Sequence, residues 1–409
     1  MMSTQWGRRG VLAGGAALAV AGRGGRARAA AGPVRIGVLS DMSGPYAANA
    51  GKGSVVGARL AIEDFKRENP DMDIDLIEGD FQNKADIGAS LARDWLDTKG
   101  VTAFVDVVAS SVAFTVADLV REKNKVALFT APATGDLTGS RCSPNHVHWV
   151  YDTWALANGT GRSLVEQGKK TWFFLTADYA FGHSLQSDAA AIVQAAGGSV
   201  IGAAQVPFPG TTDFSAYLLQ AQSSGAQVIG LANAGTDTVN CIKQAAEFGI
   251  NHTQQLAGLL FQVADVHAIG LQQAQGLVLT EAFYWDMNDG TRAFSARVAP
   301  QLGGQKPSML HAGAYSAVLH YLRAVKAAGT AEDGRRVVEQ MKAMPVDDPL
   351  FGRNSIRPDG RMIHDMYLFQ VKSPAESKGP WDYYTLRKTI PAAEAFRPMD
   401  PAACKMLRT

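Results

Sequence analysis

At 409 residues the chain exceeds the roughly 250–300 residues at which single cores stop growing, so it holds two or more domains. Hydrophobic residues make up 46% and charged residues 19%, the balance of an ordinary soluble globular chain. A net charge of +1 argues against a nucleic-acid binder working by phosphate neutralisation, and beyond residue 30 no apolar run is long enough to span a bilayer.

Residues 1–31 read as an export signal. Arg8-Arg9 precedes an apolar and small-residue run, 11–21, and Ala27-Arg28-Ala29 or Ala29-Ala30-Ala31 offers a cleavage site. A twin arginine ahead of a modestly hydrophobic core suggests twin-arginine export to the periplasm; Arg23, Arg26 and Arg28 depart from that pattern. The mature chain then opens with a β-branched apolar run, 34–39, too short for a stable helix and typical of a buried parallel strand. A polar loop containing Ser43 and Tyr46 follows, and then an amphipathic helix over 53–65. Strand, loop and helix are half of a βαβ unit, whose ligands sit at the carboxyl ends of the strands. Ser43 and Tyr46 therefore begin at a plausible binding site.

Further strands are expected at 74–78, 101–108 and 126–129, with helices over 85–96 and from Ser110-Ser111 to about 123. That alternation predicts a doubly wound parallel sheet. The pattern then restarts: strands at 172–175, 200–206, 227–231 and 278–280, with helices ending near 196, 222 and 248. A fresh round of units after residue 150 means a second α/β lobe. Helices over 291–302, 310–328 and 332–344 follow. From about 351 the chain reads as a meander with a turn at Arg357-Pro358-Asp359-Gly360, and the tail beyond Ile390 as irregular. Cys241, in an Ala-rich helical stretch, reads as a small buried core residue. Cys142 and Cys404 lie in Pro-bearing segments of a chain bound for an oxidising compartment. We pair them as a disulfide tying the tail to the first domain, although the sequence alone permits any of the three pairings.

Two motifs fail on context. Gly51-Lys52-Gly53 with Gly57 resembles a dinucleotide fingerprint, but those glycines should follow the strand directly; close helix packing explains them more simply. Cys142, His146 and His148 lack a fourth zinc ligand nearby. No GxSxG, P-loop or HExxH motif is present, so neither a cofactor nor a metal is expected. Ser110-Ser111, between a strand end and a helix start, suits either an N-cap or a carboxylate held by hydroxyls and free N–H groups, with Thr134 from the neighbouring loop completing the anion site. Asp237 near its helix start favours the helix dipole or meets a ligand ammonium. Tyr46, Tyr151, Tyr179, Phe181, Tyr284 and Trp285 could each be packing; together at one end of two lobes they suggest an apolar cleft with a few polar anchors.

By its segments IGVLSDMSGPYAANAG, DVVASSVAF, APATGDLTG, VYDTW, TADYAFG, LANAGTDTVNCIKQAAEFG and TEAFYWD, in that order and spacing from about Val34 to Arg397, the chain resembles the periplasmic solute-binding proteins of the leucine/isoleucine/valine type that serve ABC importers. The resemblance implies a type I periplasmic binding protein fold, two doubly wound lobes joined by crossings near 148–153, 281–287 and 345–352. The first lobe would comprise 34–149 plus 286–346 and the second 150–285 plus 350–390, with a tail, 391–409, returning to the first. Solute would be clamped between the lobes and the closed form would dock on a membrane permease. Family positions for the ligand carboxylate match Ser110, Ala133 and Thr134; aromatic positions match Tyr46, Tyr151 and Tyr179; the acidic partner of an ammonium matches Asp237, where the family typically has Glu. The chain looks closest to a branch with the LANAGTDTVN and FYWD features, whose members include binders of aromatic carboxylates. The expected ligand set is completed by Ser43, Ser111, Phe181, Asn233, Phe283, Tyr284 and Trp285.

The expected function is thus an extracytoplasmic solute-binding component, monomeric, without catalysis, taking a branched-chain amino acid or an aromatic carboxylate to an ABC permease. A soluble ligand sensor of the same fold is the alternative, and a periplasmic enzyme the third reading, since fold does not settle function.

Overall fold

The computed structural model describes residues 33–408; the expected export signal lies outside the described residues. In the first lobe β1 (Val34–Ser40), α1 (Gly51–Glu68), β2 (Ile74–Asp80), α2 (Ala85–Asp97), β3 (Ala103–Asp106), α3 (Ser110–Glu122), β4 (Val126–Phe129) and β5 (His146–His148) form one parallel sheet in the order β2-β1-β3-β4-β5. All of β1 except Arg35 is buried, because strands pair on both sides: Ile36 sits opposite Leu76 and Ala103. Gly37 is required there, since a Cβ would stand 2.6 Å from the Trp95 ring of α2.

Residues 149–152 cross into the second lobe. A short α4 (Thr153–Leu156) runs through a π-helical turn into α5 (Arg162–Glu166). Then come β6 (Thr171–Ala177), α6 (Ala180–Ala195), β7 (Ser199–Val206), α7 (Ser215–Ser223), β8 (Val228–Ala232), α8 (Thr236–Glu247), β9 (Gln255–Gly258), α9 (Val263–Ile269), α10 (Leu271–Ala274) and β10 (Val278–Glu281). The second parallel sheet, β7-β6-β8-β9, repeats the winding of the first. Each sheet reverses direction beside its first strand, between β1 and β3 and between β6 and β8, and such switch points are where open α/β sheets leave a crevice at the strands' carboxyl ends.

The chain then returns to the first lobe as α11 (Asp289–Val298), α12 (Met309–Ala328) and α13 (Gly334–Ala343). α12 packs lengthwise on α1. At their contact a Cβ on Gly57 would stand 2.3 Å from the His311 carbonyl oxygen, and one on Gly53 would strike the His311 ring. Close helix packing, as expected, accounts for these glycines.

Strands β11 (Val346–Asp348), β12 (Gly352–Ile356) and β13 (Met362–Ile363) form a small antiparallel sheet, while β14 (Met366–Val371) and β15 (Tyr384–Ile390) pair with β10. Here the structure departs from the expected third crossing at 345–352. β12 stays with β11, and Arg361 bridges to His148 at the edge of the first sheet, so the chain reaches the second lobe only after Ile363. The cause is Arg361 itself, fully buried, which donates to the carbonyls of Tyr151 at 2.8 Å and Trp149 at 2.9 Å. His364 Nε2 donates to the Val150 carbonyl at 2.7 Å. The first and third crossings are therefore bonded to each other. Past β15 the tail lays Phe396 against the Arg361 guanidinium, 4.3 Å to the ring centre, and ends at a disulfide between Cys404 and Cys142. Cys241 is buried and free. Among the described residues no helix is long and apolar enough to cross a membrane.

Candidate functional site

Loops from the carboxyl ends of both sheets meet at the interface between the lobes. After β1, the Asp41 carboxylate accepts from the backbone N–H of Gly44 at 2.6 Å and of Tyr46 at 3.0 Å. This fixes the loop so that Tyr46 faces the second lobe, where its hydroxyl lies 2.6 Å from that of Tyr179. Phe208 stacks on Tyr179, 4.5 Å between centres, and on Tyr46 at 5.7 Å. Burial holds both phenols protonated far above their ordinary range; the nearness of Tyr179 and then of Asp237 adds to this for Tyr46, and that of Asp237 for Tyr179, where the bond from Tyr46 works the other way. Tyr151, on the first crossing, is buried and donates to the Ala131 carbonyl at 2.6 Å. These three tyrosines and Phe181 wall a small, narrow cavity lined also by Val108, Ala131, Ala133, Ala234, Leu260 and Leu310, with Asn49 and Gln262 as its amide-bearing members. Its free space is about 20 Å³, room for roughly one water, so a ring-sized ligand enters only when the lobes part and the walls move outward.

On the first-lobe side the backbone is strained where β3 ends: Asp106 has φ 76° and Val107 φ 56°, a conformation that is an outlier for a β-branched residue. The buried Asp106 carboxylate is held by the hydroxyls of Ser40 and Ser54, and burial pushes its pKa up to about 7. This turn places Val108 in the cavity wall and starts α3 at Ser110. Ser110 is fully buried; its Oγ accepts from Thr134 N at 3.4 Å, and no side chain caps the helix. Thr134, also buried, has its hydroxyl 3.3 Å from Ser184 of the second lobe. An uncapped helix start flanked by two buried hydroxyls can hold a carboxylate. Ser111 is half-buried beside it.

In the first turn of α8, Asp237 is 5% exposed. Burial alone pushes its carboxyl up to about 7, and its oxygens make no hydrogen bond among the described residues. Ser110, Ser111, Thr134 and Asp237 are not among the residues that line the cavity, and the remaining expected residues also fall outside its wall. Asn233 accepts from Thr238 at 2.7 Å and braces the start of α8. Ser43 is exposed and donates to Asp80 at 2.6 Å. Phe283 packs edge-on against Phe294. The Tyr284 hydroxyl and the Trp285 indole both donate to the Trp381 carbonyl, at 2.6 and 2.8 Å. The aromatic run after β10 thus anchors the second crossing. His146 and His148 spend Nε2 on the carbonyls of Leu137 and Pro132, and Cys142 is in the disulfide.

Sequence reasoning missed Asn49, Val108, Ala131, Ala234, Leu260, Gln262 and Leu310. The signal for Gln262 was present: Gln262-Val263-Ala264-Asp265 has the spacing of an N-capping box, and Asp265 does accept from Gln262 N at 2.9 Å. Besides the Tyr46–Tyr179 pair, the lobes touch at further points near the cavity. Asn49 Nδ2 donates to Asp265 at 3.0 Å, Thr236 N donates to the Pro45 carbonyl at 3.2 Å, and the Thr134 and Ser184 hydroxyls meet.

Two similarly wound lobes, paired crossings and a cavity walled from both sides define a clamp for a small solute. The sequence model of the periplasmic binding protein family matches residues 33–380, and the chain belongs to that family. A periplasmic binding protein from Burkholderia mallei is 48% identical, with a TM-score of 0.86 over 89% of this chain and 96% of its own. A branched-chain amino acid ABC transporter periplasmic ligand-binding protein from Burkholderia xenovorans is 40% identical, with a TM-score of 0.78 over 89% and 97%. An ABC-transporter solute-binding protein from R. palustris in complex with 4-hydroxybenzoate shares the fold, with a TM-score of 0.79 over 88% and 97%, at 22% identity. None of the curated proteins matches the chain in sequence. The chain is a solute-binding protein of the kind that serves ABC transporters.

Proposed function

We propose that this protein, exported by its twin-arginine-type signal, captures a small hydrophobic carboxylate in the periplasm as a monomer and delivers it, without chemical change, to an ABC permease. The observation that carries this reading is the uncapped start of α3, with the Ser110 and Thr134 hydroxyls, set beside a cavity walled by Tyr46, Tyr151, Tyr179 and Phe181. Hydroxyls and helix N–H groups would take the carboxylate, and the rings would enclose the apolar body. This composition suits an aromatic carboxylate such as benzoate, the ligand class carried by several distant structural neighbours.

One observation favours a second reading, an α-amino acid: the unpaired Asp237 carboxylate, close enough to raise both tyrosines, would meet an ammonium. The 40% identical neighbour is described as a branched-chain amino acid protein, which points the same way.

Calorimetric titration of the mature protein with benzoate and with leucine, repeated on Ser110→Ala/Thr134→Ala, tests the proposal. Binding of one ligand that falls at least about tenfold in the folded double variant supports it, as expected when two hydrogen bonds to a charged group are lost. Undiminished affinity removes the α3 end from the site.

A further inference from the structure

The cavity has a polar end that the carboxylate reading does not use. Asn49, in the loop between β1 and α1, and Gln262, at the start of α9, are 3% and 2% exposed, and both line the cavity. Asn49 spends its Nδ2 on Asp265 across the lobes; its Oδ1 and Gln262 Oε1 are buried without a hydrogen-bond partner among the described residues. A buried acceptor left unmet carries the desolvation cost of that group, so two together in one cavity wall mark a place for a donor.

The topology fixes where this donor would lie. In the first sheet β3 separates β1 from β4, so the Asn49 loop stands two interstrand spacings, on the order of 10 Å, from the loop carrying Thr134. In the second lobe Gln262 follows β9, at the opposite edge of the sheet from β7 and next to β8. Ser184, which meets Thr134, instead belongs to the helix after β6. One end of the cleft therefore offers hydroxyls and a helix start to an anion, and the other offers two amide oxygens to a donor. Between them stand the rings of Tyr46, Tyr151 and Tyr179 and the side chains of Val108, Leu260 and Leu310.

We propose that Asn49 and Gln262 form a specificity end that reads a hydroxyl on the ligand's ring, opposite its carboxylate, so that the protein selects ring-hydroxylated aromatic acids over unsubstituted ones. This rests on the carboxylate reading of the α3 end. The ligand O–H donates to one amide oxygen and its lone pairs accept from the Gln262 NH₂. The Asn49–Asp265 bond keeps the first acceptor oriented when the lobes close. An unsubstituted ring places a C–H edge against the same two oxygens and leaves them unmet, a penalty that polar sites use to reject analogues lacking the matching group.

The test is calorimetry of the mature protein with benzoate and with 4-hydroxybenzoate, on the natural chain and on Gln262→Met, with Ser110→Ala/Thr134→Ala as the control for the anion end. Gln262→Met keeps the length of the side chain and removes both polar atoms, while the backbone N–H at 262 still donates to Asp265, the partner of Asn49. Expected are a preference of at least about tenfold for 4-hydroxybenzoate in the natural protein and its loss in Gln262→Met. In that variant 4-hydroxybenzoate binds more weakly, and benzoate, no longer set against that unmet oxygen, binds at least as tightly as before. A natural protein that binds both acids equally overturns the inference and leaves the carboxylate reading standing. So does a folded Gln262→Met that weakens both alike, because a merely structural role would do that. Failure of both acids to bind overturns the inference together with the aromatic reading.

Discussion

Asp237 gives the sharpest quantitative test of the cleft. Its carboxyl sits among Tyr46, Tyr179 and Cys241 without a hydrogen-bond partner, and burial moves it from an ordinary 3.8 up to about 7. At 1.36 kcal/mol per pH unit this amounts to roughly 4 kcal/mol against the ionised form. A raised folded-state pKa favours the folded chain fully only below the unfolded value; that contribution is lost as pH rises from about 4 through about 7. Asp237→Asn is neutral throughout. Its melting temperature should therefore equal that of the natural protein near pH 4 and exceed it by several degrees at pH 8, on the order of 5 °C for a chain of this size. Other buried acids, Asp106 and Asp265, titrate in both proteins and cancel in the difference. Scanning calorimetry of the pair at pH 4, 6 and 8 decides it. A difference that stays flat over this range would mean that Asp237 is ionised and solvated, and the reasoning fails. The same pair separates the ligand classes. Added leucine should reverse the difference at pH 8 if an ammonium neutralises Asp237, whereas an anion without an ammonium should bind more weakly as pH passes 7 and recover in Asp237→Asn.

Three further perturbations follow from the geometry. Gly235 has φ +59°, and a Cβ there would stand 2.2 Å from the Pro45 carbonyl oxygen of the other lobe. Gly235→Ala should prop the lobes apart, giving a larger radius of gyration in small-angle scattering and at least about tenfold weaker binding; an unchanged radius sinks this. Arg361→Met removes the buried guanidinium bonded to the carbonyls of Trp149 and Tyr151 and leaves the buried Asp152, 3.7 Å away, without this counter-charge and held by the Ala155 N–H. A loss of about 3–5 kcal/mol in urea unfolding is expected, and less than about 1 kcal/mol would show that the two crossings do not depend on it. Cys404→Ser opens a bridge spanning 262 residues in sequence, which in the chain-entropy account costs up to about 5 kcal/mol. The natural protein treated with reductant should show the same drop in melting temperature, and a variant as stable as the oxidised parent would contradict the bridge.

The fold was legible because its signals are local. Buried parallel strands announce themselves as apolar runs, and the restart of βα units after residue 150 follows from Trp172-Phe173-Phe174-Leu175 alone. β9 was missed because it contributes only Gln255–Gly258, too short and too polar at its start for periodicity to register. Losing β9 hid Leu260 and Gln262 as well, since both hang from its carboxyl end. The third crossing was placed too early for a different reason. Nothing local marks Arg361 as a core residue; an arginine reads as surface until the carbonyls of Trp149 and Tyr151, some two hundred positions earlier, are seen to receive it.

The site divides along the same line. Ser110, Thr134, Tyr46 and Tyr179 stand directly after strand ends, where chain order and topology together point at the cleft. Phe283, Tyr284 and Trp285 also follow a strand, β10, yet β10 belongs to the antiparallel sheet with β14 and β15, and its end faces the crossing rather than the switch point. Aromatic content in a loop therefore predicts a pocket only when the strand before it lies in the parallel sheet beside the reversal. By that rule Ala234, after β8, lies at the cavity, although its side chain carries no chemistry that composition would flag. Asn49 is the harder case. Its amide matters only because Asp265, from the other lobe, claims one of its two polar atoms and leaves the other buried without a partner, a relation that exists only once the two lobes are brought together.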